Sequence, residues 1–325
     1  MQTMNPIGVV ESEINGLWQS DSLSYYSSKS VDDCRVSTRT LIGSTIQDGD
    51  VFVFGFDSSS SGTARGNNDD FALTVLKIRR DLTADHVLTV RRNGISSRQA
   101  AAIVHKYAKI FFPAFIVYDP GGGGLFVRDE LRESKVIIND ILTDVVPILE
   151  PNDISGAIGN NNLIPFKRGC WHLEQMWGKA PSDSVYVNRM HRIMKGLIES
   201  EIKQIRLASK WDGWELKGAV TDVTAKREFL NRASSLTEQE RVLAEMDLAV
   251  SQLILVDVMR DKESKEPIID SFGMYKFGSK RKKDSAYSLA YAAVARELFI
   301  ALGSGQMLLG GDGDVSCGIG IIEEL

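Results

Sequence analysis

Two short apolar runs, each closed by an aspartate, most constrain what this chain can fold into. Residues 51–56 read VFVFGF and lead into Asp57; residues 114–118 read AFIVY and lead into Asp119. Runs this short, rich in β-branched and aromatic residues, suit strands buried on both faces rather than helices. The first is followed by SSSSGTARGNN and the second by PGGGG, both turn-forming, and a glycine run permits tight turns and close backbone approach. Both acids are therefore expected at strand ends, where open α/β sheets collect their ligand chemistry.

The intervening chain supplies a sheet to hold those strands. Residues 71–78 (FALTVLKI) and 85–92 (DHVLTVRR) read as two further strands joined by a polar connector, making an antiparallel meander with the first. A helix is expected after an N-cap at Ser96 or Ser97, with Ala100, Ile103, Val104, Tyr107, Ala108 and Phe111 on its apolar face, and Pro113 ends it. Residues 125–132 read as a helix and 135–138 as a fifth strand, completing the order β-β-β-α-β-α-β by about residue 140. The stretch at about 140–267 is expected to be a long, mainly helical insertion, with amphipathic runs near 186–208 and 237–260. A strand-like run at 268–277 follows, then a helix over 284–302. Residues 1–50 are expected to be a lead-in or linker and the glycine-rich residues 303–325 a flexible tail, leaving 51–302 as the domain.

Asp284 opens that last helix directly after the basic run at 280–283. A carboxylate is favoured at a helix N-terminus, and the helix can aim it at the sheet edge carrying Asp57 and Asp119. Grouped carboxylates repel unless a cation joins them, and an all-oxygen set suits one or two hard divalent metals. Two such ions, roughly 3.5 to 4 Å apart, activate a water and stabilise the leaving oxygen in phosphodiester hydrolysis. Asp69 and Asp70 are possible accessory ligands, although solvated turn acids are the more ordinary reading. The net charge of −5 excludes a chain coated in positive charge, yet its basic residues cluster. Lys280, Arg281, Lys282 and Lys283, with Arg91 and Arg92, are the expected DNA contacts, although an ordinary solvated face accounts for any single cluster.

The three cysteines are scattered and show no zinc spacing, which points to a reducing compartment. No apolar run approaches the ~20 residues of a membrane span and the N-terminus lacks a signal-peptide layout, so a cytoplasmic location is expected.

Taken together, GFDSSSS at 55–61, FIVYDPGGGG at 115–124 and KKDSAYSLAYA at 282–292 resemble the nuclease domain of tailed-phage terminase large subunits, the DNA-packaging motor proteins. The resemblance spans roughly residues 50–302 and implies an RNase H-like α/β fold, with a mixed five-stranded sheet flanked by helices. It implies that Asp57, Asp119 and Asp284 bind two Mg²⁺ or Mn²⁺ ions and cut concatemeric viral double-stranded DNA during genome packaging. An ATPase domain, a small terminase subunit and a portal are the implied partners, and the host cytoplasm the implied location. No G-x-x-x-x-G-K-[ST] loop occurs, so either an excised C-terminal domain, with residues 1–50 as its linker, or a free-standing nuclease is expected, the former preferred.

Two other readings compete. GFDSSSSGT, YDPGGGG and LLGGDGD at 308–314 also resemble the nucleotide loops of actin-like or sugar-kinase-like ATPases, although the second follows the first too closely and lacks a Ser or Thr. The other alternative is a non-catalytic DNA-binding or docking module in a packaging motor.

Overall fold

The computed structural model describes residues 24–37, 50–58, 70–121, 123–138, 140–150, 162–166, 171–216, 222–264, 266–278 and 283–308. In chain order these form α1 (Ser28–Asp33), β1 (Arg35–Ser37), β2 (Val51–Asp57), β3 (Asp70–Ile78) and β4 (Ala84–Asn93). Then come α2 (Ser97–Phe111), β5 (Phe115–Tyr118), α3 (Gly124–Leu131), β6 (Lys135–Ile138), β7 (Ile141–Asp144) and β8 (Asn162–Pro165). The remainder is α4 (Trp171–Trp177), α5 (Asp183–Glu199), β9 (Ile205–Ala208), α6 (Gly213–Leu216), α7 (Val223–Arg232), α8 (Glu238–Leu253) and α9 (Asp284–Leu308).

Seven strands make one mixed sheet in the order β1-β9-β4-β3-β2-β5-β8. The meander is as expected: β2 pairs antiparallel with β3, and β3 with β4. On its other side β2 pairs in parallel with β5, and β5 with β8. Strands β4-β3-β2-β5-β8 form a five-stranded mixed sheet, and β9 and β1 extend it beyond β4.

One strand assignment is corrected. Residues 135–138 do not take the fifth place; β6 pairs only with β7, as a separate two-stranded hairpin. Its residues alternate between covered and exposed, with Ile137, Ile141 and Leu142 open to solvent, whereas Leu163 and Ile164 of β8 are fully buried. A both-sides-covered seat needs a continuous apolar strand, and β8 supplies one. The chain between residues 140 and 267 thus adds β8 and β9 to the sheet as well as helices, and α8 lies over β4. Tyr26 and Val31, ahead of residue 50, are fully buried in the main core. The run at 268–277 forms isolated bridges, such as Ile269 with Tyr275, rather than a strand.

Strand periodicity sorts the two layers. Phe52 and Phe54 of β2 meet Phe111 of α2, with ring centroids 5.0 and 6.3 Å apart. Gly55, on the opposite face, lies beneath α9, where an added Cβ would come within 2.1 Å of the Ala292 nitrogen and 2.2 Å of the Ser288 carbonyl oxygen. The helix can lie this low because the side that meets the sheet carries small residues: Ser288, Ala292 and Ala295 share one helix face, and all three are buried. A Ser96–Gln99 capping box starts α2, as expected from the serine pair, and a Thr237–Glu240 box starts α8. Among the described residues no helix is long and apolar enough to cross a membrane.

Candidate active site

Asp57 is the last residue of β2, and Asp119 directly follows β5. The parallel ladder pairs Phe56 with Tyr118, and the Asp119 N–H donates to the Phe56 carbonyl at 3.3 Å. The two acids therefore sit at neighbouring register positions, past the carboxyl ends of adjacent parallel strands. Asp57 is two residues beyond Gly55, so its side chain leaves the sheet on the face that α9 covers.

The glycine run shapes this corner. Asp119 Oδ1 accepts the Gly121 N–H at 2.7 Å, closing an Asx turn. Ser58 Oγ donates to the Gly121 carbonyl at 3.1 Å. Gly123 adopts φ +123°, and a Cβ on Gly124 would collide with the Asp119 carbonyl oxygen. With the Gly121 N–H turned inward onto a carboxylate, the loop does not present that group to a nucleotide phosphate.

Helix α9 brings the third acid to the same edge. Thr74 of β3, paired with Gly55, has its Oγ1 2.8 Å from Ser288 Oγ. One helical turn earlier, Asp284 Oδ2 accepts the backbone N–H of Asp70, the first residue of β3, at 3.0 Å. Farther along the same helix come two tyrosines that sequence reasoning missed. Burial pushes the Tyr287 hydroxyl up, and the carboxylates of Asp57, Asp257 and Asp119 push it further. Tyr291 is likewise raised, by burial first, then by Asp119 and Asp57, and it shares a hydrogen bond with Asp119. Both phenols therefore stay neutral, and Tyr291 donates to the Asp119 carboxylate. The available signal was the spacing Asp284, Tyr287, Tyr291, which at i, i+3, i+7 shares one helix face.

Asp57, Asp119 and Asp284 thus lie around one corner of the sheet, roofed by the first two turns of α9. Among the described residues no three His, Cys, Asp or Glu side chains gather tightly enough to hold an ion as they stand. The donor chemistry of the corner, carboxylate and phenol oxygens, fits a hard divalent cation rather than a soft one.

Other expected site residues are placed differently. Asp70 is not an accessory ligand: it is buried, and its carboxylate accepts from Arg91 Nη1 (2.6 Å), Arg227 Nε (2.5 Å) and Nη2 (2.9 Å), and Asn93 Nδ2 (2.5 Å). Arg91 is consequently buried and committed to this network rather than open to DNA. Arg92, 40% exposed at its side chain, pairs with Glu245 of α8 at 3.0 Å. Lys283 is 4% exposed, with Nζ 2.9 Å from Asp257 Oδ1 and donating to the Gly278 carbonyl at 2.6 Å. It cannot touch a phosphate backbone. Asp69, Lys280, Arg281 and Lys282 lie outside the described residues.

Two measurable consequences follow from these pairs. Lys283→Glu would set a second carboxylate against Asp257 and leave the buried position without its cation, so we expect a loss of about 3 kcal/mol and a melting temperature lower by on the order of 10 °C. A thermal melt read by circular dichroism checks it. For Asp70, burial alone would raise the carboxyl, but the hydrogen bond from Arg227, the charge of Arg91 and the Asn93 amide together hold it at about 2, below its ordinary 3.8. A lowered folded value means the stabilisation is complete above pH ~4 and is lost as pH falls toward ~2, roughly 2 kcal/mol in all. Acid unfolding of the parent should show this slope, and Asp70→Asn should lack it.

No protein-family model matches the chain, and no curated protein sequence matches it. Among solved structures it is similar to the large terminase nuclease of thermophilic phage G20c with bound magnesium: TM-score 0.44 and 13% identity, covering 84% of this chain and 97% of that one. The chain resembles terminase nuclease domains. The nuclease domain of the large terminase subunit gp2 of bacterial virus Sf6 gives TM-score 0.41 and 10% identity, over 83% of this chain and 98% of that one. The G20c nuclease with bound cobalt gives TM-score 0.44 and 13% identity, with coverage of 84% and 97%.

Proposed function

We propose that this protein is a metal-dependent endonuclease that cuts concatemeric viral double-stranded DNA during genome packaging. The observation that carries the reading is the placement of Asp57 and Asp119 at adjacent register positions on parallel strands, with Asp284 brought to the same edge by α9. An all-oxygen set of acids at one sheet corner suits a hard divalent cation. Asp57, Asp119 and Asp284 would hold Mg²⁺ or Mn²⁺, two ions in the full site, which when bound supply a water nucleophile and charge stabilisation for phosphodiester hydrolysis.

The chain's own residues have definite parts in this. Tyr291 orients Asp119 by donating to it, and the Asx turn through Gly121 holds the same carboxylate from the other side. Tyr287, kept neutral by burial and by the same acids, places an uncharged hydroxyl beside them without adding charge. Lys283 and Asp257 neutralise one another next to Asp284, so this pair leaves the site's negative charge unchanged. Double-stranded DNA is the substrate, with a packaging ATPase, a small terminase subunit and a portal as partners in the host cytoplasm. The nuclease unit takes in residues 24–37 as well as 51–302, because Tyr26 and Val31 pack in the main core and β1 joins the sheet.

Incubation of the purified protein with supercoiled plasmid tests the reading. Nicked and linear DNA should accumulate with Mn²⁺ or Mg²⁺ and not with chelator. Plasmid that is bound yet stays supercoiled at millimolar Mn²⁺ would sink the enzyme reading and favour a DNA-binding module.

A further inference from the structure

We infer that Arg227, on α7, is a positioning residue for Asp284, acting through Asp70. The inference rests on the nuclease reading for its functional meaning, but its structural content stands on the hydrogen bonds alone.

The chain of contacts is short. The Asp70 N–H donates to Asp284 Oδ2 at 3.0 Å, so the position of the Asp70 backbone bears directly on where that carboxylate sits. The Asp70 side chain is gripped in turn by the Arg227 fork, Nε to Oδ2 at 2.5 Å and Nη2 to Oδ1 at 2.9 Å. Such a bidentate pair fixes the plane of a carboxylate as well as its charge. A buried aspartate needs only one cation, and Arg91 already provides it, with both side chains almost wholly enclosed. The second guanidinium therefore exceeds what neutralisation of Asp70 requires.

Arg227 is itself held from a different part of the fold. Asp222 caps α7 by accepting the N–H groups of Thr224 and Ala225, Lys226 pairs with buried Asp247 of α8 at 3.1 Å, and Leu230 packs in a second small core with Trp214. The Arg227 backbone carbonyl also accepts from Arg91 Nη2 at 3.3 Å. A helix far along the chain is thereby tied to the first residue of β3 and, one hydrogen bond further, to Asp284. Partners of ligand residues typically change metal affinity by roughly 10- to 100-fold when removed.

The test compares the full chain with Arg227→Met, Arg227→Lys and Asp70→Asn by three readouts. Hydrogen exchange of the Asp70 amide needs no activity: it should speed up at least ~10-fold in Arg227→Met while distant sheet amides keep their rates. The Mn²⁺ concentration giving half-maximal plasmid nicking should rise at least ~10-fold, with the KM for DNA unchanged. Arg227→Lys, which keeps charge but loses the fork, should recover part of both effects, and Arg227→Met combined with Asp70→Asn should be no worse than the more impaired single variant. Unchanged Asp70 exchange in Arg227→Met overturns the inference whether or not the parent cuts DNA. A parent that fails to nick, with Asp70 exchange still accelerated, removes the nuclease reading and leaves the structural coupling standing. Should Arg227→Met not fold, Arg227→Lys decides: parent-like exchange and Mn²⁺ dependence in it overturn the role of the fork.

Discussion

Asp119→Asn is expected to lower metal-dependent nicking by on the order of 10³-fold or more, while the protein stays folded and still binds DNA. The magnitude corresponds to several kcal/mol of charge stabilisation lost when a carboxylate that holds a cation becomes a neutral amide. Asparagine is the informative choice because its side-chain oxygen can still accept the Gly121 N–H, so the Asx turn that shapes the corner survives. Single-turnover cleavage with Mn²⁺, alongside a thermal melt, checks it. A variant that cuts like the parent would show that Asp119 only turns the chain.

The second large effect concerns the architecture that brings the acids together. A methyl group at Gly55 would lie 2.1 Å from the Ala292 nitrogen, 2.2 Å from the Ser288 oxygen and 2.7 Å from the Tyr291 carbonyl carbon, all backbone atoms of α9. Backbone of a buried helix cannot yield as a flexible side chain does, so α9 must lift as a unit. We expect Gly55→Ala to cost about 3 kcal/mol or more in a urea titration, at the upper end of overpacking effects, and Gly55→Val to give no soluble folded protein. Because α9 also carries Asp284, Tyr287 and Tyr291, any folded Gly55→Ala protein should lose nicking beyond what its stability predicts. An unchanged urea midpoint would contradict the close helix-on-sheet packing.

Much of this was legible in the sequence, for identifiable reasons. Strands β2, β3 and β4 lie within a residue of their expected limits because each is a short run built on β-branched, aromatic or leucine residues and bounded by polar connectors or turn formers. The start of α2 follows from its serine cap, and α9 begins at Asp284 as the basic-to-acidic switch suggests. The two strand-end acids are neighbours because β2 and β5 are both buried runs of parallel type.

The misreadings share one cause: the partner of a side chain lies far along the chain. Arg91 and Lys283 read as surface charges, yet each has a carboxylate supplied from elsewhere, Asp70 and Asp257. Arg227 gave no local sign of its grip on Asp70. The fifth central strand was misassigned for a related reason. A four-residue apolar run such as KVII is equally compatible with a hairpin arm and a core strand, and β8 took the buried seat.

Asp57, Asp119 and Asp284 are proposed to form one divalent-cation site together. A crystal structure of the protein soaked in Mn²⁺, with anomalous data collected near the manganese edge, tests it most directly. Anomalous density is expected at the carboxyl ends of β2 and β5, with oxygens of all three aspartates within about 2.0 to 2.5 Å of bound ions. Strong manganese density on other residues, with these three carboxylates left apart, would contradict it.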